Sequence, residues 1–323
     1  MKPKVYLTLP VPEEVRKYIA EHCEISQWEE EGPIPREVLF QKIADVDGLF
    51  TSGGKIDAEL LEHGPNLKVV SNMSVGYNNF DLEAMKQRSV IGTNTPYVLD
   101  ETVADLAFAL ILATARRITE LDGFIKDRKW EPTKDDEMFY GLDVHRSTIG
   151  IIGMGRIGEA IAQRARFGFN MDVLYYNRSR KPDAEKKFGA EYSDLESLLK
   201  RSDFVVLMTP LTLETHHLIG ENEFKLMKKS AIFINVSRGQ TVDEKALIQA
   251  LQNKEIYGAG LDVFQKEPIE KDNPLLDMTN VVTVPHIGSA TLKTRDAMAM
   301  RAAENLVAVV TGMEPIDQVP YAK

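Results

Sequence analysis

Cysteine is nearly absent: Cys23 stands alone among 323 residues, so no internal disulfide can form, which suits the reducing cytoplasm. Membrane-length apolar runs are missing as well. The longest, near Val103 to Ala115, contains Asp105 and falls short of the roughly 20 residues needed to cross a bilayer, so it reads as a buried helix. The apolar stretch after Met1-Lys-Pro-Lys4 is too brief for a secretory leader. Positive charge is in deficit: 49 acidic against 39 basic residues leave a formal net charge of −10, and the basic residues form no long run. Nucleic acid and anionic membranes are thereby excluded as expected partners. No His, Cys or Asp spacing reads as a metal-ligand cluster. The expectation is a soluble cytoplasmic enzyme, too long for one typical domain and sufficient for two.

Two alternating α/β patterns follow one another. The first holds the β-rich runs Val5 to Leu9, Gly48 to Thr51, Lys68 to Ser71 and Val90 to Gly92, separated by helical segments such as Pro12 to Ala20 and Ala58 to Leu61. This alternation predicts a parallel sheet. Asp100, with Glu101 and Thr102 in the first turn, can cap a long Ala- and Leu-rich helix that runs through Ala115 and is apolar nearly all round. Such a helix packs between layers or against a partner subunit. The second pattern begins near Thr148 and adds Phe204 to Met208, Ala231 to Val236, Ala259 to Val263 and Val281 to Val284, the makings of a doubly wound nucleotide domain. Leu292 to Val310 reads as a helix with Gly312 as its stop, and its pattern alone assigns it to neither domain. Lys126 to Asp143, carrying Trp130, Pro132, Phe139 and Tyr140 among charges, reads as a loop; its aromatics either pack locally or belong to an arm that crosses to another subunit.

Within the second pattern, Ile149-Gly-Ile-Ile152 leads into Gly153-Met-Gly-Arg-Ile-Gly158. Gly153 permits a tight turn, Gly155 lets the backbone approach a pyrophosphate, and Gly158 allows close packing of helix on strand. Alone, such a triplet is weak, because glycine turns without nucleotides share it. Here the apolar run before it and the helical Ile157, Ala160, Ile161 and Ala165 after it supply the context of a dinucleotide site. The next strand, Met171 to Tyr176, ends about twenty residues on, where an NAD enzyme carries an acid for the ribose diol. This chain has Asn177-Arg-Ser-Arg180 instead. Arg178, Ser179 and Arg180 offer charge and donors to a 2′-phosphate, so NADPH is expected in preference to NADH, with NAD as a possible second cofactor. One charge-assisted hydrogen bond is worth roughly 1.5–3 kcal/mol, about a ten- to hundredfold preference. The competing reading is that both arginines are solvated surface charges.

Three further residues stand where a hydrophobic run ends or a loop begins: Arg238, Glu267 and His286. A planar cation for anchoring, a carboxylate and an imidazole form a complete set for reducing a keto acid. Reduction delivers hydride to the carbonyl carbon and a proton to its oxygen. Histidine suits the proton donor, because its ordinary pKa is about 6.5 and a nearby carboxylate favours the charged form. The arginine fork can bind carboxylate and keto oxygen together. The other five histidines, His22, His63, His145, His216 and His217, read as surface or structural.

The ordered set Gly153-Met-Gly-Arg-Ile-Gly158, Asn235-Val-Ser-Arg-Gly239, Gly260-Leu-Asp-Val-Phe264, Glu267-Pro268 and Pro285-His-Ile-Gly-Ser-Ala290 resembles the D-isomer-specific 2-hydroxyacid dehydrogenases over nearly the whole chain. Asn72-Met-Ser-Val-Gly-Tyr77 and Gly141-Leu-Asp-Val-His145 are similar to its glyoxylate/hydroxypyruvate and 2-ketogluconate reductase branch. The resemblance implies two Rossmann-like domains with doubly wound parallel sheets. Residues 1–100 and 290–323 would form a split substrate-binding domain, and 101–289 a dinucleotide-binding domain inserted into it. It implies a homodimer acting on a small 2-keto acid, His286 as general acid oriented by Glu267, and Arg238 as anchor. It further implies that the backbone N–H groups of Val75 and Gly76 hold the substrate carboxylate, with Ser289 adding a hydroxyl. Cofactor contacts implied are Gly153, Met154, Gly155, Arg156, Ile157, Gly158, Asn177, Arg178, Ser179, Val236, Ser237 and Gly288, with Asp262 on the nicotinamide carboxamide. Thr102, Pro210 and Thr215 are weaker contact candidates. A nucleotide-sensing corepressor of the same fold is the alternative function.

Overall fold

The computed structural model describes residues 1–132 and 136–321, so part of the expected Lys126 to Asp143 loop lies outside the described residues. The chain divides into two compact units, one made of Met1–Leu99 with Ala290–Lys323 and the other of Asp100–Ser289.

The first unit holds five parallel strands, β1 (Lys4–Leu7), β2 (Glu24–Gln27), β3 (Gly48–Thr51), β4 (Val69–Asn72) and β5 (Ile91–Thr93), in the order β2-β1-β3-β4-β5. This is the doubly wound order in which the chain starts near one edge and reverses direction between β1 and β3. β3 and β4 are buried along their whole length, as strands covered on both faces must be, whereas edge strand β2 is half exposed. One face carries a core with Tyr6, Ile43, Leu49, Leu60, Val70 and Met85 at its centre. At roughly 1.5–3 kcal/mol for each large side chain withdrawn from water, that layer suffices to hold the sheet to its helices. The helix Leu292–Val310 belongs to this unit. It buries Met298, Ala302, Leu306 and Val310, and its Ala302 carbonyl accepts from Ser71 Oγ on β4 at 2.7 Å. Gly312, at φ +84°, ends it as expected, and the chain then returns so that Gln318 bridges Thr93 of β5.

The second unit holds seven parallel strands: β6 (Thr148–Ile152), β7 (Asp172–Tyr176), β8 (Glu191–Tyr192), β9 (Phe204–Leu207), β10 (Ile232–Asn235), β11 (Gly258–Leu261) and β12 (Val281–Thr283). Their order, β12-β11-β10-β9-β6-β7-β8, reverses between β6 and β9, the point at which an open α/β sheet offers a crevice at its carboxyl edge. β9, β10 and β11 are buried end to end, which is why their sequences are apolar but for Asn235 at the end of β10. The long apolar helix spans Asp100–Ala115 and packs on the Arg156–Phe169 helix and on β10 and β11. Asp100 is its first helical residue rather than its cap, and its Oδ2 accepts from Arg156 Nε at 3.0 Å. Within the region read as a loop, Glu137–Phe139 forms one 3-10 turn, and an unexpected helix, Ile118–Lys126, precedes it. No helix among the described residues is long and apolar enough to cross a membrane.

Candidate active site

The nucleotide turn sits at the carboxyl end of β6. Gly153 has φ +107°, a conformation L residues rarely adopt, and an added Cβ would meet the Met208 carbonyl oxygen at 2.7 Å. Gly155 caps the Arg156–Phe169 helix, and the space its missing side chain leaves is open to 4 Å. An anionic group can therefore come up to the helix N-terminus, where first-turn N–H groups lack intrahelical acceptors. Thr209 Oγ1, beside this turn, is buried without a hydrogen-bond partner among the described residues. The residues present fit a dinucleotide. Met154, Val236 and Ser237 are buried, and Ser237 Oγ donates to Asn235 Oδ1 at 2.8 Å. Arg156 pairs with Asp100.

At the end of β7, Asn177 Nδ2 donates to the Ser179 carbonyl at 3.1 Å, closing a small turn that leaves Arg178 and Ser179 exposed. Arg180 is drawn away. Its Nε and Nη2 donate to the two oxygens of Glu185 at 3.0 and 2.8 Å, whereas Arg178 lies close enough to Glu214 to help hold that carboxyl below its ordinary pKa. Pro210 and Thr215 are brought together, Thr215 Oγ1 donating to the Pro210 carbonyl at 2.6 Å. Thr102 lies in the first turn of the Asp100–Ala115 helix.

Arg238, Glu267 and His286 follow β10, β11 and β12 at the same edge of the sheet. The Arg238 carbonyl accepts from Asn235 Nδ2 at 3.1 Å, Thr241 Oγ1 at 2.6 Å and Thr241 N at 3.2 Å, which fixes the loop that carries the guanidinium. Gly239 presses on the backbone of Phe264 and Gln265, where no Cβ would fit, and Phe264 N in turn donates to Glu267 Oε1 at 3.1 Å. The other oxygen, Glu267 Oε2, lies 2.7 Å from His286 Nδ1. Burial pushes the Glu267 carboxyl up, but the His286 and Phe264 hydrogen bonds and the Arg238 charge outweigh it and hold the pKa below 4.5. Burial lowers the Arg238 pKa against the attraction of Glu267, and the guanidinium keeps its charge.

His286 itself is left-handed at φ +52°, a conformation costing roughly 1–2 kcal/mol. Asp262 holds it there. The Asp262 carbonyl accepts from His286 N at 2.9 Å, and its carboxylate accepts from Ile287 N at 2.6 Å and Gly288 N at 3.0 Å. Burial raises the Asp262 pKa, opposed by those two N–H groups and by His286. The clamp is a job for Asp262 that sequence reasoning missed, along with the loop-fixing Asn235 and Thr241; Gly288 is buried against the same carboxylate.

In the first unit, Val75 and Gly76 lie on a half-buried loop after β4, and no acceptor among the described residues of the unit takes their N–H groups. Ser289 closes the second unit.

A family model described as the D-isomer specific 2-hydroxyacid dehydrogenase NAD-binding domain matches residues 108–288. The chain belongs to this family. A glyoxylate reductase of Thermococcus gammatolerans is 50% identical over 319 residues, covering 98% of this chain and 95% of the relative. A glyoxylate/hydroxypyruvate reductase B of an Enterobacter species is 50% identical over 312 residues, covering 97% and 96%. Among solved structures, an NADPH-dependent glyoxylate/hydroxypyruvate reductase of Sinorhizobium meliloti, in complex with NADP and malonate, superposes with TM-score 0.87 at 31% identity, covering 100% of this chain and 99% of that one. In a 2-hydroxyacid dehydrogenase the nicotinamide cofactor supplies or accepts the hydride, and the protein supplies binding, orientation and the proton.

Proposed function

We propose that the protein reduces small 2-keto acids, glyoxylate and hydroxypyruvate first and 2-keto-D-gluconate as a roomier substrate, to D-2-hydroxy acids, with NADPH preferred over NADH. The observation that carries this reading is the His286 Nδ1 to Glu267 Oε2 hydrogen bond at 2.7 Å on a unit that also fixes Arg238. With Nδ1 engaged by a carboxylate, Nε2 is the nitrogen that carries a proton outward. His286 protonates the keto oxygen as the carbon takes hydride, and recovers a proton from solvent afterwards. Arg238 polarises the carbonyl and fixes the substrate by its planar fork. Val75 and Gly76 hold the substrate carboxylate, and Ser289 adds a hydroxyl. On this reading the 1–100 and 290–323 unit binds substrate and the 101–289 unit binds cofactor through the Gly153 to Gly158 turn, with Asp262 and Gly288 near the nicotinamide.

Arg178 and Ser179 support NADPH, because the residue that follows β7 is Asn177 rather than an acid. The exposed Ile118, Ile125, Trp130, Met138 and Tyr140, all within the stretch from 118 to 140, support a homodimer. Their state is read by sedimentation. Following NADPH and NADH absorbance with glyoxylate, hydroxypyruvate, pyruvate and 2-ketogluconate tests the activity. Turnover lost in His286→Gln with NADPH binding retained is the expected result. Cofactor binding with no turnover of any keto acid by the wild type would replace this reading with a nucleotide-sensing one.

A further inference from the structure

Three successive carbonyls in the loop after β4 have named donors. Thr95 N donates to the Ser74 carbonyl at 2.9 Å, Asn94 Nδ2 to the Val75 carbonyl at 2.8 Å and Asn72 Nδ2 to the Gly76 carbonyl at 2.9 Å. In a trans peptide the C=O of one residue and the N–H of the next point in opposite directions. Pinning the Ser74 and Val75 carbonyls against Asn94 and Thr95 therefore turns the N–H groups of Val75 and Gly76 away from those residues, and pinning the Gly76 carbonyl fixes the next peptide plane. Consecutive N–H groups held this way make an anion-binding concavity. We infer that Asn94, assisted by Asn72, is a positioning residue that presents the Val75 and Gly76 N–H groups to the substrate carboxylate; the inference rests on the proposed keto-acid reduction.

Asn94 is held rigidly enough for this task, and by a distant part of the chain. Its N–H donates to the Asp317 carbonyl at 3.3 Å, and its own carbonyl accepts from Asn305 Nδ2, also at 3.3 Å. Asn305 Oδ1 accepts from Ile316 N and Asp317 N, each at 2.9 Å, and Arg301 donates to the buried Asp317 carboxylate through Nε and Nη2. The helix Leu292–Val310 and the segment after it thus brace β5's extension, which in turn braces the loop. Asn72 is buried at the end of β4, so its amide is held away from solvent.

The test replaces Asn94 with Asp, which keeps its shape but sets an acceptor against the Val75 carbonyl, and separately with Ser, which cannot span the gap. Both variants should raise KM for glyoxylate about tenfold, the worth of one hydrogen bond lost per peptide group. Both should change kcat by less than about threefold, as loss of uniform binding requires. Oxalate, as a keto-acid mimic, should bind the NADPH-loaded variants about tenfold more weakly in calorimetry. NADPH affinity should stay at the wild-type value. A folded Asn94→Asp enzyme with unchanged KM and unchanged oxalate affinity overturns the inference, and so does a parallel loss of NADPH affinity, which would mark a general structural role. Should neither variant fold, amide exchange in the wild type decides: oxalate must slow exchange at Val75 and Gly76, and no protection refutes the arrangement. Wild-type inactivity toward every keto acid would instead sink the proposed function, leaving the oxalate measurement to judge the loop alone.

Discussion

Glu267→Gln isolates what the carboxylate does for His286. The glutamine keeps the volume of the side chain, and its Oε1 can still accept from Phe264 N as Glu267 does at 3.1 Å. The amide nitrogen then faces His286 Nδ1, where Glu267 Oε2 stands at 2.7 Å in the native protein. An N–H there favours a neutral imidazole with Nδ1 as acceptor and removes the partner of the imidazolium, the form that donates the proton. A charge-assisted hydrogen bond is worth about 1.5–3 kcal/mol. The pair is partly open to water, with side chains 47% and 35% exposed, so the lower end applies. That end corresponds to a fall of about ten- to thirtyfold in kcat for glyoxylate reduction at neutral pH. The profile should change shape as well. Glu267 is held below its ordinary pKa, so in the native enzyme its charge is present at and above pH 4.5 and is lost as pH falls through the lowered value. In the variant no such acid limb exists. Stopped-flow or steady-state NADPH consumption across pH 4 to 9 measures both. A variant within twofold of wild type at every pH would refute the pairing.

The double variant Asn177→Asp with Arg178→Ala should convert the proposed NADPH preference to NADH, about ten- to hundredfold in the ratio of kcat/KM values, whereas Arg180→Ala should do little because Arg180 is held by Glu185; cofactor kinetics that do not move would refute the assignment. Asp57 caps the Ala58–His63 helix through Leu60 N and pairs with Arg36 and Lys55. Burial pushes its pKa up, but these partners outweigh it and hold the pKa at about 2, against 3.8 in the open chain. Its stabilisation is complete above 3.8 and fades as pH falls through about 2, so Asp57→Asn should cost about 1–2 kcal/mol in urea unfolding at neutral pH and nothing at the acid limit. The Cys23 thiol, buried and pushed up to about 11, should ignore a thiol reagent at pH 8 until urea opens the first unit, and prompt labelling of the native protein would contradict its burial.

The parts of the fold legible in the sequence are those whose burial is symmetric. Gly48–Thr51, Phe204–Leu207 and Ile232–Asn235 are buried along their whole length and apolar up to their last residue or through it, and a short apolar run between turn residues is the mark of such a strand. Strand β2, Glu24–Gln27, is not legible. It lies at the sheet edge, alternates exposed and half-buried positions and carries a charge, so its β character comes from pairing with β1 rather than from its own side chains. The Arg36–Ile43 helix buries only Ile43 and has no side-chain cap, so neither period nor cap announces it.

The candidate site divides along the same physical line. Arg238, Glu267 and His286 stand out because each follows a strand whose own pattern is strong and because three unlike ionisable types in that order suit one reaction. The residues that hold them do not stand out, since their partners are far away in sequence. Asp262 meets Ile287 and Gly288 across 25 and 26 residues, and Asn305 meets Asn94 across 211. An asparagine or aspartate has the same composition and local pattern whether it faces water or receives three backbone groups, so only the folded chain distinguishes the two cases. The cost of that dependence is specific. His286 occupies a left-handed conformation that bonds to Asp262 and Val284 hold, so the orientation of the proposed proton donor rests on groups outside the Arg238, Glu267 and His286 set. A site whose reacting groups are legible in sequence can thus still fail through a substitution at a position whose local pattern suggests a ligand contact alone.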